Sequence, residues 1–440
     1  MITAKAFAGK KYAVYGLARS GLATAAALIA SGAEVATWDA KEEARAKAPP
    51  GTRIENLDEV DLSQFDSLVV TPGLPLNRHP IATRARAANV EIIGDIELFA
   101  RARPELPPHK VVGITGTNGK STTTALVHHI LKTAGVPTEM GGNIGLPILA
   151  QDPLPEGGVY VLELSSYQID LTQSLDCDVA VLLNITPDHL DRYESFEAYA
   201  ASKARLFKMQ SSGDTAIFIA DDGPTQKIAR ASPNWIRGFI QVLGDHVTGQ
   251  ERWPALQGPH NSRNAIAAIA VAKALGIGAE QTADDDLLFR SNDLIDEALR
   301  TYPGLPHRME RIRDHDGVLF VNDSKATNPT ATAPALAAFE RIRWICGGQP
   351  KTDNLDECAP HFGHVRAAYT IGEAAGLFER LLSPHITVKN CGKLDAAVRE
   401  AAADAEAGDT VLLSPACASF DQFRDFEDRG DQFRKLVEGL

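Results

Sequence analysis

The sequence has no cysteine pattern, no cationic run and no long apolar segment, and each absence removes a class of protein. Its five cysteines, Cys177, Cys346, Cys358, Cys391 and Cys417, are odd in number, far apart and without a CxxC pair, so neither a disulfide framework nor a zinc site is indicated. The formal net charge of −13 is spread without a polybasic stretch, which argues against nucleic acid or an anionic membrane as the main partner. Any anionic ligand therefore has to be held by local loops. The longest apolar stretch, LATAAALIA, ends at Ser31-Gly32, well short of the ~20 residues a membrane helix needs. The opening MITAKAFAGKKYAVYG is interrupted by lysines and has no apolar core ahead of a small-residue cleavage site, so no secretory signal is read there. A cytoplasmic protein with reduced thiols is expected. No repeat of fixed period and no low-complexity tract occurs.

What is present is an α/β grammar stated three times. At 440 residues, 44% hydrophobic and 23% charged, the chain is long enough for roughly two to four domains, each with its own core. From Lys11, KYAVYG reads as a strand, LARSGLATAAALIASG as a helix stopped by glycine, and AEVATWD as a second strand ending at Asp39, the unit that builds a parallel sheet. SLVVTPG is a further strand, and VEIIGDIELF closes a first domain expected over 1–96. The pattern restarts with KVVGIT and continues through GGVYVLELSS, CDVAVLLNIT and DTAIFIAD, apolar runs bounded by turn residues, as strands buried on both faces should be. Helical FEAYAASKARLFKM and NSRNAIAAIAVAKALG lie among them, and this middle domain is expected over 97–303. A third block, with strands GVLFVND, IRWICGG, AAYTIG and TVLLSPA, is expected over 304–440, with YPGLP (Tyr302–Pro306) as the hinge before it. The acidic stretch between Gln281 and Leu299 reads as a helical insert without an assigned role.

The clearest chemistry lies in VVGITGTNGKSTTTALVHHILKTAG, Val111 to Gly135. A strand runs into Gly116–Ser121, small residues fill it, and an uncapped helix start follows. Successive backbone N–H groups and the positive helix end can then face an anion, Lys120 adds a full charge, and Ser121 offers a hydroxyl to a magnesium ion. The standard phosphate loop has a glycine five residues before Gly119, where Ile114 stands; with Gly113 one residue further out, the loop is expected to be one residue longer. A Gly-Asn turn between strand and helix is the plain alternative. At the first strand–helix turn, YGLARSG followed by WD resembles a dinucleotide fingerprint with Asp39 for a ribose, but its middle glycine is Ala18, which crowds a pyrophosphate. An NAD-dependent oxidoreductase, which has no need of a GKST loop, and a non-enzymatic nucleotide switch remain as alternatives. Glu163 ends the strand VYVLEL, where open parallel sheets bind ligands, although a carboxylate there is more often a helix cap or a solvated charge. Read alone, His189 is a loop histidine and Lys203 a surface lysine.

Several motifs follow in one order along nearly the whole chain: GTNGKST, GGNIG (Gly141–Gly145), ELSSYQ (Glu163–Gln168), NITPDHLDRY (Asn184–Tyr193), HNSRNA (His260–Ala265), GLPHR (Gly304–Arg308) and NDSKATN (Asn322–Asn328). By these the chain resembles the Mur ligases and their folylpolyglutamate synthase relatives, which join a carboxylate to an amino acid at the expense of ATP. The ending LLSPACASFDQF followed by FEDRG is similar to the branch that adds D-glutamate, and the DNPR tetrapeptide of the diaminopimelate- or lysine-adding branch is absent. The resemblance implies an α/β protein of three domains: a Rossmann-like UDP-binding domain, a central P-loop ATPase-type parallel sheet and a Rossmann-like amino-acid-binding domain. It implies UDP-N-acetylmuramoyl-L-alanine and D-glutamate as substrates, a monomer, and closure of the third domain during turnover. Addition of another amino acid such as L-glutamate, or action on a folate, stays open within the family.

Residue by residue, the resemblance assigns Gly116, Thr117, Asn118, Gly119, Lys120, Ser121 and Thr122 to the ATP phosphates, Asn264 to the adenine, Arg308 to the phosphates and Asp323 to the ribose. Ser121 and Glu163 would hold one magnesium ion; His189 and Lys203, the latter carrying a carbamate from CO2, would serve a second near the substrate carboxylate. Lys120, His189 and Lys203 are the implied catalytic residues. Arg19, Ser20, Thr71, Pro72, Gly73 and Asn143 are assigned to uridine or diphosphate, with Asp39 and Lys41 as a uracil-side contact. Lys325 and Thr327 would face the incoming amino acid and phosphate, and Lys351, Ser419 and Phe426 would hold the D-glutamate carboxylates.

Overall fold

The computed structural model describes residues 1–188, 191–231, 238–242, 249–278 and 293–440. The chain divides into two compact units, one of residues 1–250 with 259–299 and the other of residues 251–258 with 300–440. Among the described residues no helix is long and apolar enough to cross a membrane.

The first unit holds two parallel sheets. In the first, β1 (Lys11–Tyr15), β2 (Glu34–Trp38), β3 (Arg53–Ile54), β4 (Ser67–Val70) and β5 (Glu91–Ile93) lie in the order β3-β2-β1-β4-β5. In the second, β6 (His109–Thr115), β7 (Thr138–Gly142), β8 (Gly158–Glu163), β9 (Val179–Leu182), β10 (Thr215–Ile219) and β11 (Gly238–Val242) lie in the order β11-β10-β9-β6-β8-β7. In both, the chain reverses direction across the sheet next to its first strand, which leaves the turns after β1 and β6 at the switch points where such sheets bind ligands. Both sheets contribute to one buried cluster running from Tyr12 and Phe99 to Tyr160, Leu182 and Phe207. Phe99 meets Tyr160 edge to face at 5.1 Å, and burying aromatics of this size stabilises by about 1.5–3 kcal/mol each. The central runs β6 from Val111, β8 up to Leu162, and β9 are buried and mostly apolar because helices cover both faces.

The second unit carries β12 (Glu310–His315), β13 (Val318–Asn322), β14 (Ile342–Gly347), β15 (Val365–Ile371), β16 (Thr387–Gly392) and β17 (Thr410–Leu413) in the order β12-β13-β17-β14-β15-β16, with only the β12–β13 pair antiparallel. Alternation along β17 sends Leu412 to the core around Trp344 and Val411 and Leu413 to the core around Tyr369.

Five strands that the sequence reading passed over, β3, β7, β11, β12 and β16, are edge strands. The burial of β12 runs between half-exposed and exposed along its whole length, so no apolar run marks it. Within the acidic stretch, Asp293–Thr301 is a helix with Ile295, Ala298 and Leu299 buried; 281–292 lies outside the described residues.

Candidate functional site

The phosphate-loop candidate sits between β6 and the helix Lys120–Thr133. Gly113 does not belong to it, contrary to expectation. It is a core position of β6, paired between Leu162 and Ala180, and an added Cβ there would lie 2.7 Å from the Cys177 sulfur. The turn opens at Gly116, so the loop is shorter than the standard form, not longer. Gly119 caps the helix at φ +83° with no side-chain acceptor on the first N–H groups, and a Cβ there would fall 2.4 Å from Asn264 Oδ1. Glycine is therefore required by conformation and by space, and the helix start offers its N–H groups to a ligand.

Around the loop the side chains hold one another. Asn184, just after β9, donates from Nδ2 to Asn118 O (3.0 Å) and accepts at Oδ1 from Asn118 N (2.8 Å), while Thr186 N donates to Thr117 Oγ1 (3.0 Å). Lys120 Nζ curls back to donate to Gly116 O (2.9 Å) and Thr117 O (2.7 Å). Asn264, buried, accepts from Thr123 Oγ1 at 3.2 Å, which places it beside Gly119. Lys203, 1% exposed, donates from Nζ to the same Gly116 carbonyl at 2.8 Å and lies 4.7 Å above the Tyr199 ring. Its surface reading is thus overturned: the helix Phe196–Lys208 turns this lysine inward. Burial, with the charge of Lys120 second, pushes its amine down to about 7, against the opposing pull of Asp188 and Asp170.

Glu163 closes β8 and is 2% exposed. Its Oε1 accepts from Asn143 Nδ2 at 3.0 Å, and its Oε2 is buried without a hydrogen-bond partner. It is not a helix cap; Ser165 caps the next helix, in a capping box with Gln168. A buried, half-satisfied carboxylate is costly unless a cation joins it. Among the described residues no three His, Cys, Asp or Glu side chains gather as a metal cluster. A carboxylate at the end of β8, paired with Ile114 of the strand that leads into the candidate loop, nevertheless suits magnesium, which keeps waters and takes few protein ligands. Ser121 is buried in the first turn of the loop helix and Thr122 follows it. His189 lies outside the described residues.

In the first sheet, Arg19 opens the helix Arg19–Ala30, with Ser20 next, and donates to Gly145 O at 2.9 Å in the GGNIG loop. Asp39 accepts from Leu17 N (2.7 Å) and Lys41 N (2.9 Å), so it orders the turn where the oxidoreductase reading wanted a ribose ligand. Thr71, Pro72 and Gly73 form the turn after β4, and Arg192, to which the sequence reading gave no role, donates to the carbonyls of Pro72 and Gly73.

The second unit gathers its candidates at the carboxyl ends of β13, β14 and β17. Asp323, 6% exposed, accepts from Met309 N (3.1 Å) and Ser414 Oγ (2.7 Å), and burial pushes its carboxyl up to about 7. Lys325 Nζ lies 5.4 Å above the Phe426 ring, Lys351 Nζ donates to Thr327 Oγ1 (3.1 Å), and Ser419 is buried in the turn after β17. Arg308 pairs backbone with Leu305 and its charge bears on Asp323. Arg429 was given no role from the sequence. Fully buried, it donates to Ser324 Oγ (2.9 Å), Ser324 O (2.8 Å), Cys417 O (3.1 Å) and Ala418 O (3.2 Å), tying the NDSKATN turn to the SPACAS turn. A signal existed: Arg429, Phe433 and Val437 stand four apart, the spacing of a core-facing stripe.

Residues 114–244 match the Mur ligase middle domain and residues 307–417 the Mur ligase, glutamate ligase domain. The chain is 60% identical over 442 residues to a Novosphingobium aromaticivorans protein named UDP-N-acetylmuramoylalanine--D-glutamate ligase, covering 100% of this chain and 97% of that one. It is 57% identical to the Sphingopyxis alaskensis protein of the same name, covering 100% of each. Among solved structures, the UDP-N-acetylmuramate-alanine ligase of Thermotoga maritima shares the fold at TM-score 0.58 and 18% identity, over 98% of this chain and 99% of that one. The chain belongs to the Mur ligase family.

Proposed function

We propose that this chain joins D-glutamate to UDP-N-acetylmuramoyl-L-alanine with cleavage of ATP to ADP and phosphate, in the making of peptidoglycan precursors. The observation that carries the chemistry is the convergence of the Lys120 and Lys203 amines on one carbonyl, Gly116 O, in the loop of a helix start whose N–H groups have no side-chain cap. Full-length similarity to relatives named for D-glutamate supports the choice of amino acid. A carboxylate has no leaving group suited to amide formation, so its oxygen attacks the γ-phosphorus and ADP leaves; the amine of D-glutamate then attacks the acyl carbon of the acyl phosphate, loses a proton and expels inorganic phosphate. Positioning and charge neutralisation dominate such a transfer. Lys120 would swing from its carbonyls to the transferring phosphoryl group, and Gly116–Thr122 would hold the phosphates with their N–H groups. Glu163 and Ser121 would hold a magnesium ion, which when bound offsets phosphate charge.

The modules 1–96, 97–303 and 304–440 are read as carriers of the UDP-sugar, ATP and the amino acid in turn. Arg19, Ser20, Thr71–Gly73 and Asn143 belong to the first ligand; Asn264, Arg308 and Asp323 to the second; Lys325, Thr327, Lys351, Ser419 and Phe426 to the third. Lys203 would carry a carbamate. An amine near 7 is about half neutral at neutral pH, whereas an ordinary lysine is almost wholly protonated, and only the neutral amine attacks CO2. Lys203→Ala should be inactive and partly restored by formate or acetate; full activity without them ends the carbamate reading. Phosphate release with UDP-N-acetylmuramoyl-L-alanine should require D-glutamate and fail with L-glutamate; release with neither ends the ligase reading.

A further inference from the structure

Arg192 joins two loops that the proposed reaction needs in register. Its Nη1 donates to Gly73 O (3.3 Å) and its Nη2 to Pro72 O (3.4 Å) and Leu74 O (2.8 Å), three consecutive carbonyls of the turn after β4. The guanidinium lies 4.2 Å above the ring of Tyr167, on the short helix Ser166–Asp170 that follows Glu163. Tyr167 in turn stacks on Tyr193 at 6.1 Å, and the Tyr193 hydroxyl donates to Asp170 Oδ2 at 2.8 Å. One side chain thus reaches from the central sheet to the backbone of the turn in the first sheet. A cavity of about 460 Å³ opens beside Arg192, lined also by Asn77, Arg78, His79 and Tyr193. The nearby Arg78–Asp191 pair, at 3.3 Å, is two-thirds exposed on both sides and contributes little. A planar fork stacked on an aromatic ring holds a row of carbonyls at a set distance; an ammonium cannot both stack and fork.

We propose that Arg192 is a positioning residue that sets the turn Thr71–Gly73 at the height needed to take the diphosphate of the UDP-sugar, and so governs affinity for that substrate and not for ATP. The inference rests on the ligase reading above, since it takes the turn as the nucleotide-sugar site.

The test is steady-state phosphate release by full-length Arg192→Ala and Arg192→Lys, each substrate varied in turn, with the shift in unfolding temperature given by ATP and magnesium as the readout of the phosphate loop. Loss of one charge-assisted hydrogen bond predicts a rise of about tenfold or more in KM for UDP-N-acetylmuramoyl-L-alanine in both variants. KM for ATP and D-glutamate should stay within about twofold and the nucleotide-induced shift should persist, a split that a merely structural role would not give. An unchanged KM for the UDP-sugar, or an equal loss for all three substrates, overturns the role of Arg192 while leaving the ligase reading in place. A wild-type enzyme that releases no phosphate overturns the ligase reading and the inference with it.

Discussion

Asp323→Asn should make the second unit more stable above neutral pH while weakening ATP binding. Asp323 is buried at the end of β13, and burial is the main cause that lifts its carboxyl from 3.8 to about 7, over the opposing hydrogen bonds of Ser414 and Met309 and the charge of Arg308. The folded protein therefore keeps a proton that the unfolded chain has released. That contribution to stability is fully present below 3.8 and is lost as pH rises towards about 7, on the order of 4 kcal/mol in all and about 2–3 kcal/mol of it between pH 5 and pH 8. Asparagine does not titrate. It can still accept from Met309 N, and its amide can donate to Ser414 Oγ once that hydroxyl turns to Thr332 Oγ1 at 3.2 Å. Hydrogen exchange of peptides covering β13 and β17, comparing variant and wild type at each pH, measures the effect locally. Protection should favour the variant at pH 8 and converge towards pH 5. A difference independent of pH, or a variant less protected at pH 8, would refute the buried-carboxyl argument. On the reading that Asp323 faces the ribose, KM for ATP should rise in the same variant.

Glu163→Gln removes the charge whose Oε2 has no partner, so magnesium should no longer raise the unfolding temperature and activity should fall by about a hundredfold or more, while the protein without magnesium is no less stable than wild type. Gly119→Ala forces an L-residue to φ +83° and a Cβ onto Asn264 Oδ1; a loss of roughly 1–3 kcal/mol in stability and of ATP binding is expected by urea denaturation and nucleotide titration. Lys351→Ala, which takes the ammonium from Thr327, should raise KM for D-glutamate by about tenfold with KM for ATP unchanged, and the reverse pattern would remove Lys351 from the amino-acid site.

The parallel sheets were legible because their central strands are buried on both faces and so stand out as apolar runs between turns; GVYVLE and TVLL leave no other reading. Edge strands such as TEMGG and ERIRDH escaped for the same reason in reverse, since they are only partly covered and carry no apolar run. The loop could be located from its glycines and lysine, yet its length was misread, because a glycine kept for packing against Cys177 looks in sequence like one kept for a turn. Lys203 shows the sharper limit. Nothing in AASKARLF distinguishes a lysine turned to solvent from one turned to Gly116 O, and only the packing of its helix against the loop decides it. Arg192 and Arg429 were visible as letters in quoted motifs, but their acceptors are backbone carbonyls from distant segments, which no local pattern records.

The central claim is that the γ-phosphoryl group passes to the substrate carboxylate before the amine attacks. Labelling the alanyl carboxylate of the UDP-sugar with oxygen-18 and analysing the phosphate released during D-glutamate addition tests it directly. One labelled oxygen in each phosphate is the predicted result, and unlabelled phosphate at full turnover would contradict it.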